Sequence, residues 1–198
     1  MSHIDDLIKQ YCPDGVSYRK IGEFAEFKRG ANLPKDQLRS GSVPVVTASR
    51  DDFSTHDAAN NKGNCVTVTS HGAYVCHVNF WNDPIWLANN VYLIAIRDNN
   101  LESKFLYYSL KAKEADLRKL ASSAGVPYIN SSVLARVHIP VPPIEVQREI
   151  VAILDTFTQL EAELEAELEA RRKQYEHYRN ELLSFQHIEG GGPVGSNG

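Results

Sequence analysis

At roughly 150 residues per domain, the 198 residues amount to one globular domain with an appendage, enough to bury a core without staples. Hydrophobic residues make up 42% and charged residues 23%, and the net charge of −4, from 21 Lys and Arg against 25 Asp and Glu, argues at the level of the whole chain against a strongly basic nucleic-acid binder. No apolar run approaches the roughly 18–20 residues of a membrane span, the acidic start carries no signal-peptide core, and the lack of any CxxC pair among Cys12, Cys65 and Cys76 argues against a disulfide framework or zinc finger and for a reducing cytoplasm.

In chain order, Gly30, Gly41, Gly63, Gly72 and Gly125 punctuate short β-like runs. Val43 to Ala48 reads as a strand. Cys65 to Ser70 alternates, with Val66 and Val68 on one face and Thr67 and Thr69 on the other. Tyr74 to Trp81 alternates again, and the turn chemistry of Ser70 to Ala73 predicts a hairpin between the two. Val91 to Ile96 is nearly continuous apolar, as a buried strand requires. Residues 103–121 switch to helical spacing through Phe105, Tyr108, Ala112 and Leu120, with Lys111, Lys113, Arg118 and Lys119 in the second half. Cations there suit either a solvated helix end or contact with phosphate.

A hinge follows. Val137 to Pro140 reads as a short strand closed by Pro142 and Pro143, and Pro143 can open a helix. From about Ile144 to Phe185 there is no Gly or Pro, which predicts a helix roughly 60 Å long. Its stripe runs through Ile150, Ile153, Phe157, Leu160, Leu164 and Leu168, then Tyr175, Tyr178, Leu182 and Phe185. Steps of three and four suit a coiled coil, and Leu160, Leu164 and Leu168 form a stutter. The stutter comes from a tandem tetrapeptide, Leu160-Glu161-Ala162-Glu163 followed by Leu164-Glu165-Ala166-Glu167. Glu161, Glu165 and Glu169 repel at i, i+4. Antiparallel pairing would bring them near Arg171, Arg172 and Lys173 of a second helix. The glycine-rich end, residues 187–198, reads as a flexible tail.

By segment, residues 1–149 hold 17 Lys and Arg against 16 Asp and Glu, while residues 150–198 hold 4 against 9. The acidity therefore belongs to the helix and tail. Basic groups of the first segment sit beside Asn60, Asn61, Asn64, Ser70 and His71, side chains suited to phosphate and base edges.

Catalytic motifs fare poorly. Pro13-Asp14 with Glu26-Phe27-Lys28 mimics a PD…ExK nuclease, in which carboxylates hold Mg²⁺, but Pro13-Asp14-Gly15 has turn chemistry. Asn82-Asp83-Pro84-Ile85-Trp86 lacks the second proline of an adenine-methyltransferase loop, which leaves Trp81 and Trp86 as anchors. Cys65, His71, Cys76 and His77 match no zinc spacing, and no P-loop, GxSxG or dinucleotide fingerprint occurs.

Gly125-Val126-Pro127-Tyr128-Ile129-Asn130, the hinge Val137 to Pro143, and Ile144-Glu145-Val146-Gln147-Arg148-Glu149-Ile150-Val151 resemble the join between recognition domain and long helix in specificity subunits of type I restriction–modification systems. Cys12 to Val16, Ile21-Gly22-Glu23 and Phe27 to Gly30 resemble the start of that domain. The tetrapeptide repeat is similar to the spacer of the type IC branch. Many members have Glu where Val146 stands.

The resemblance implies a mixed α/β (α+β) target recognition domain over 1–143, a long pairing and docking helix over 144–186 and the tail 187–198. It implies a non-catalytic subunit that contacts double-stranded DNA, with Lys28, Arg29, Ser49, Arg50, Lys62, Ser70 and His71 as candidates. Ile153, Phe157, Leu160, Leu164, Leu168, Tyr175, Tyr178 and Leu182 would carry helix pairing, here with a second copy because the chain has one domain and one helix. Metal and cofactor sites are expected in none of this chain. S-adenosylmethionine, ATP and Mg²⁺ would belong to the methyltransferase and motor–nuclease subunits. The rival expectations are a Mg²⁺ nuclease using Asp14, Glu26 and Lys28, and a coiled-coil scaffold without a DNA role.

Overall fold

The computed structural model describes residues 3–49, 54–122 and 124–185. The chain divides into a compact unit, Met1–Ile153, and a second unit, Leu154–Gly198. The tail residues 186–198 lie outside the described residues.

The compact unit opens with helix α1 (His3–Tyr11), followed by strand β1 (Tyr18–Lys20), the single turn α2 (Ile21–Phe24) and β2 (Ala25–Arg29). Next come β3 (Val43–Val46), β4 (Thr55–His56), β5 (Cys65–Thr69), β6 (Val78–Trp81), β7 (Trp86–Leu87) and β8 (Val91–Ile96). Helices α3 (Ser103–Lys111), α4 (Glu114–Lys119) and α5 (Ser131–Leu134) and strand β9 (His138–Pro140) complete it, and α6 runs from Ile144 to Leu183. The result is the mixed α/β domain and long terminal helix that the residue pattern predicts.

The main sheet has the order β2-β8-β5-β6, with antiparallel neighbours throughout. The two central strands hold the most apolar runs. Val66, Val68, Tyr92 and Ile94 are all at most 3% exposed, packed with Leu106 and Leu110 of α3. Thr67 and Thr69 are buried as well, so both faces of β5 are covered, where alternation predicted only one. A hydroxyl tolerates this when it finds a partner, and Thr67 Oγ1 accepts the indole N–H of Trp81 at 2.9 Å. A smaller sheet, β4-β3-β7, pairs β3 parallel to β7 through Val45 with Trp86 and Val46 with Leu87.

Two local expectations are corrected. The strand predicted from Tyr74 begins only at Val78. Cys76 takes a left-handed φ of +67°, donates to the Thr69 carbonyl at 2.8 Å, and leaves the His77 carbonyl to accept from Thr69 at 3.0 Å. Two residues thus oppose one, a bulge that turns the hairpin early. The helix predicted over 103–121 breaks at Ala112-Lys113. No Gly or Pro causes the break. Instead, the Glu114 carboxylate accepts the Val78 amide of edge strand β6 at 3.2 Å, while Lys111 Nζ donates to the Val78 carbonyl at 3.2 Å. Satisfying a strand end outweighs one more turn of unbroken helix.

The hinge closes the unit on its own beginning. β9 pairs antiparallel with β1, Arg19 opposite Ile139, and Ile139 is fully buried. Past Pro142-Pro143, α6 starts, and its Gln147 side chain is 0% exposed. Oε1 accepts the Glu102 amide at 3.0 Å, and Nε2 donates to the carbonyls of Asn100 and Pro142, both at 2.8 Å. One amide thereby satisfies three backbone groups from the β8–α3 loop and the hinge, using all its donors. Val146 and Val151 are buried beside it.

Replacing Gln147 with Ala orphans those three groups, so the chain should lose about 3 kcal/mol of stability. Urea unfolding followed by circular dichroism checks this, and an unchanged midpoint would show that the amide anchors nothing.

Candidate nucleic-acid interface

Five of the seven residues proposed from sequence to meet DNA, Lys28, Arg29, Lys62, Ser70 and His71, fall in two places. The first is a recess of about 270 Å³ lined by Lys28, Arg29, Gly30, Asn60, Asn61 and Leu87. Gly30 is required here: a Cβ would lie 2.0 Å from the Leu87 carbonyl oxygen. That oxygen accepts the Ala31 amide at 2.9 Å. Asn60 works as a strand mimic, its Nδ2 donating to the Leu87 carbonyl at 3.0 Å and its Oδ1 accepting the Leu87 amide at 2.7 Å. Asn61 Oδ1 accepts the Gly63 amide at 2.8 Å, an Asx turn that sets the loop carrying exposed Lys62.

The cations of this recess are partly engaged. Lys28 pairs with Glu26 at 2.7 Å, and that hydrogen bond lowers the Glu26 pKa. Arg29 donates to the Tyr92 hydroxyl at 2.9 Å and lies 5.0 Å from its ring centre, which holds the guanidinium in a fixed direction. Glu26 also stands 4.0 Å from Arg97, and among the described residues no cluster of three His, Cys, Asp or Glu side chains could hold a metal. The nuclease reading of Asp14, Glu26 and Lys28 gains nothing from this geometry.

The second place is the β5–β6 turn. Ser70 is fully buried and therefore stands behind the surface. Its hydroxyl donates to the Asn90 carbonyl at 2.7 Å and lies 2.7 Å from His71 Nδ1. A carbonyl can only accept, so the single hydroxyl proton is spent there, and His71 Nδ1 must donate. The neutral imidazole then carries its lone pair on Nε2. The ring stacks on Tyr128 at 6.1 Å between centres, across an antiparallel bridge between the two residues. Tyr128, Val126 and Tyr74 are exposed by 38%, 67% and 40%. The sequence reading assigned no role in contact to these three. Gly72 and Gly125, both visible as turn glycines in the sequence, take positive φ, and the Gly72 amide donates to the Pro127 carbonyl at 2.9 Å, which ties the Tyr128 segment to the turn that carries His71. Ser49 is partly buried with its amide on Thr47 Oγ1 at 3.2 Å, and Arg50 lies outside the described residues.

The basic helix is less free than its composition suggests. Lys111 pairs with Glu114 at 2.7 Å and Lys119 with Asp116 at 2.7 Å. Glu114 also meets His77 Nδ1 at 3.1 Å. Cys65 and Cys76 are buried, which pushes both thiols up to about 11 and leaves them inert near neutrality.

Residues 13–170 match the family described as the type I restriction modification DNA specificity domain. The chain belongs to that family. Among curated relatives, the specificity subunit of EcoR124I/EcoR124II from Escherichia coli is 27% identical over 206 residues, covering 91% of this chain and 51% of that protein. A Mycoplasma pneumoniae protein provisionally named a type I specificity subunit is 30% identical over 179 residues, covering 86% and 48%. This specificity chain thus spans about half the length of the relatives it matches. Of solved structures, the type I S subunit from M. genitalium has a TM-score of 0.68 at 22% identity, over 86% of this chain and 46% of that one. A chain from a structure describing assembly and conformational transition of the type I system has a TM-score of 0.64 at 25% identity, over 87% and 48%. Membership puts the chain with DNA specificity domains rather than with catalytic subunits.

Burial raises the Glu114 pKa, but the bonds from Lys111, His77 and the Val78 amide outweigh it and the net shift is downward from 4.5. A carboxylate with a depressed folded pKa stabilises fully above its unfolded value, and the contribution is lost as pH falls through the folded one. Glu114→Gln should therefore be less stable than the parent at pH 7, with the gap closing below about pH 4. Urea unfolding at pH 7 and pH 3 tests this, and an equal gap at both contradicts it.

Proposed function

We propose that this chain is the DNA-reading and pairing half of a type I specificity subunit, and that two copies join through α6 to read a palindromic, interrupted site. The carrying observation is the helix. From Leu154 onward its residues stay largely exposed, including Phe157 at 63%, Leu164 at 66%, Tyr175 at 66% and Leu182 at 73%. A stripe that large needs a covering surface, and a helix this long needs a partner along its side. Two-fold pairing presents two identical recognition domains, and a two-fold reader requires a two-fold DNA site.

In this reading Lys28, Arg29 and Lys62 neutralise phosphates, while His71 offers its Nε2 lone pair to an exocyclic amino group of adenine or cytosine in the major groove. Ser70 positions His71. Arg50 and Ser49 remain candidates on the neighbouring loop. A methyltransferase subunit docks on the helix and transfers a methyl group from S-adenosylmethionine to adenine. A motor–nuclease subunit cleaves unmethylated DNA with ATP and Mg²⁺. No described helix is long and apolar enough to cross a membrane.

Mapping adenine methylation in cells that express the chain with its methyltransferase subunit tests the reading. A bipartite palindrome is expected. An asymmetric site contradicts the paired form, and no methylation together with no gel shift contradicts DNA reading altogether. Lys62→Ala should weaken binding across all sequences and lower the salt slope by about 1, whereas His71→Ala should cost about 1–3 kcal/mol at one base pair.

A further inference from the structure

We infer that two copies of α6 pair antiparallel about a two-fold axis at Arg171. This rests on the paired form proposed above and gives it a register. Successive helical residues turn by about 100°, and on that count the stripe from Phe157 to Leu182 keeps within about 100° of the helix surface. One face therefore carries the whole seam, and Arg171 lies on it between Leu168 and Tyr175. All these side chains belong to α6 beyond Ile153, within one unit.

The seam is nearly palindromic about Arg171. Leu160 and Leu182 stand at equal distances along the chain on either side of it, as do Leu164 and Tyr178, and as do Phe157 and Phe185. The last pair caps the seam, since Phe185 lies just beyond the final helical residue, Leu183. In an antiparallel pair with its axis at Arg171, each of these meets its counterpart on the other copy. Leu168 falls one residue from register with Tyr175 of the other copy, still in contact range for an aromatic ring. Moving the axis by a residue or two in either direction keeps fewer of these apolar layers. All the residues concerned are exposed in the single chain, Leu160 by 47% and Tyr178 by 50%.

Charge selects the same arrangement. Five glutamates, Glu161, Glu163, Glu165, Glu167 and Glu169, precede Arg171, while after it Arg172, Lys173 and Arg179 outnumber Glu176 and Glu181. Parallel pairing lays the acidic run on itself. Antiparallel pairing about Arg171 lays it along the stretch of the partner copy in which cations outnumber acids. The best-placed pair is Glu161 with Arg179 of the partner copy. Both lie on the same flank, about 60° from the middle of the seam and within about 3 Å in height, and residues on the same flank meet in an antiparallel pair. The two Arg171 side chains at the axis are each neutralised on their own helix, with Nη2 3.5 Å from Glu167 Oε1, and their aliphatic stems can cover the seam.

The register is tested by single cysteines in the full chain, whose native Cys12, Cys65 and Cys76 are all buried. Only residues that meet across the pair can form a disulfide. Under mild oxidation Arg171→Cys should give a covalent dimer, and this change also removes a like-charge contact at the axis. Leu164→Cys and Tyr178→Cys should each stay uncrosslinked alone but link to one another when a tagged and an untagged copy are co-expressed. Exchanging charge with Glu161→Arg should weaken the dimer about three- to tenfold, and adding Arg179→Glu should restore it. Self-linking at 164 and 178 as well as 171 means parallel pairing and overturns the axis. A dimer that links only at other positions overturns the register while leaving the paired form. A chain that light scattering finds monomeric at high concentration overturns both.

Discussion

The compact unit depends on one buried side-chain amide. Gln147 sits in the second turn of α6, yet its hydrogen bonds go to the loop before α3 and to the proline hinge. Prolines at 142 and 143 supply no amide donors, so the carbonyls around the hinge need partners from elsewhere. The glutamine provides them from within the helix that the hinge launches. The first turns of α6 are thus part of the domain's core, sealed by Val146 and Val151. An apolar residue of the same size could fill the space but not satisfy the backbone, and a burial without partners costs more than the packing returns.

The same economy appears at three other polar side chains of the recognition domain. Asn60 replaces a missing strand beside β7, Ser70 ties the β5–β6 turn to the Asn90 carbonyl, and Glu114 finishes the end of β6. Each holds backbone that has no ladder partner. The exposed chemistry then stands on those supports: Arg29 directed by Tyr92, Lys62 on an Asx turn, and His71 with its proton fixed on Nδ1. Loops built this way can change their outward residues without changing their shape, which suits the DNA reading proposed for this domain.

Much of this was legible in the residue pattern. The long helix, the proline-closed strand, the alternating strand at 65–69 and the buried strand at 91–96 were readable because each depends on neighbours within a few residues. The near-neutral charge of the domain against the acidic helix was likewise readable by segment. The break at Ala112-Lys113 was not, because it is caused by a strand end more than thirty residues earlier in the chain. Nor was the bulge at Cys76, since a left-handed cysteine carries no local signal. Of the candidate contacts, Lys28, Arg29 and Lys62 emerged near one recess. Ser70 proved to be a support, because alternation along β5 could not show that both its faces are covered. Tyr128 was visible only as part of a family-like motif, and its place against His71 needed the fold.

The sequence by itself determined where the long helix begins, and which face of that helix is apolar. Both follow from local rules: proline ends one element and opens another, and a seam repeats with the helical period. Only the tertiary structure decided which polar groups face outward and which hold the backbone. That choice turns on partners distant in the chain, and a hydroxyl or amide looks the same in a sequence whether it meets solvent, DNA or a buried carbonyl.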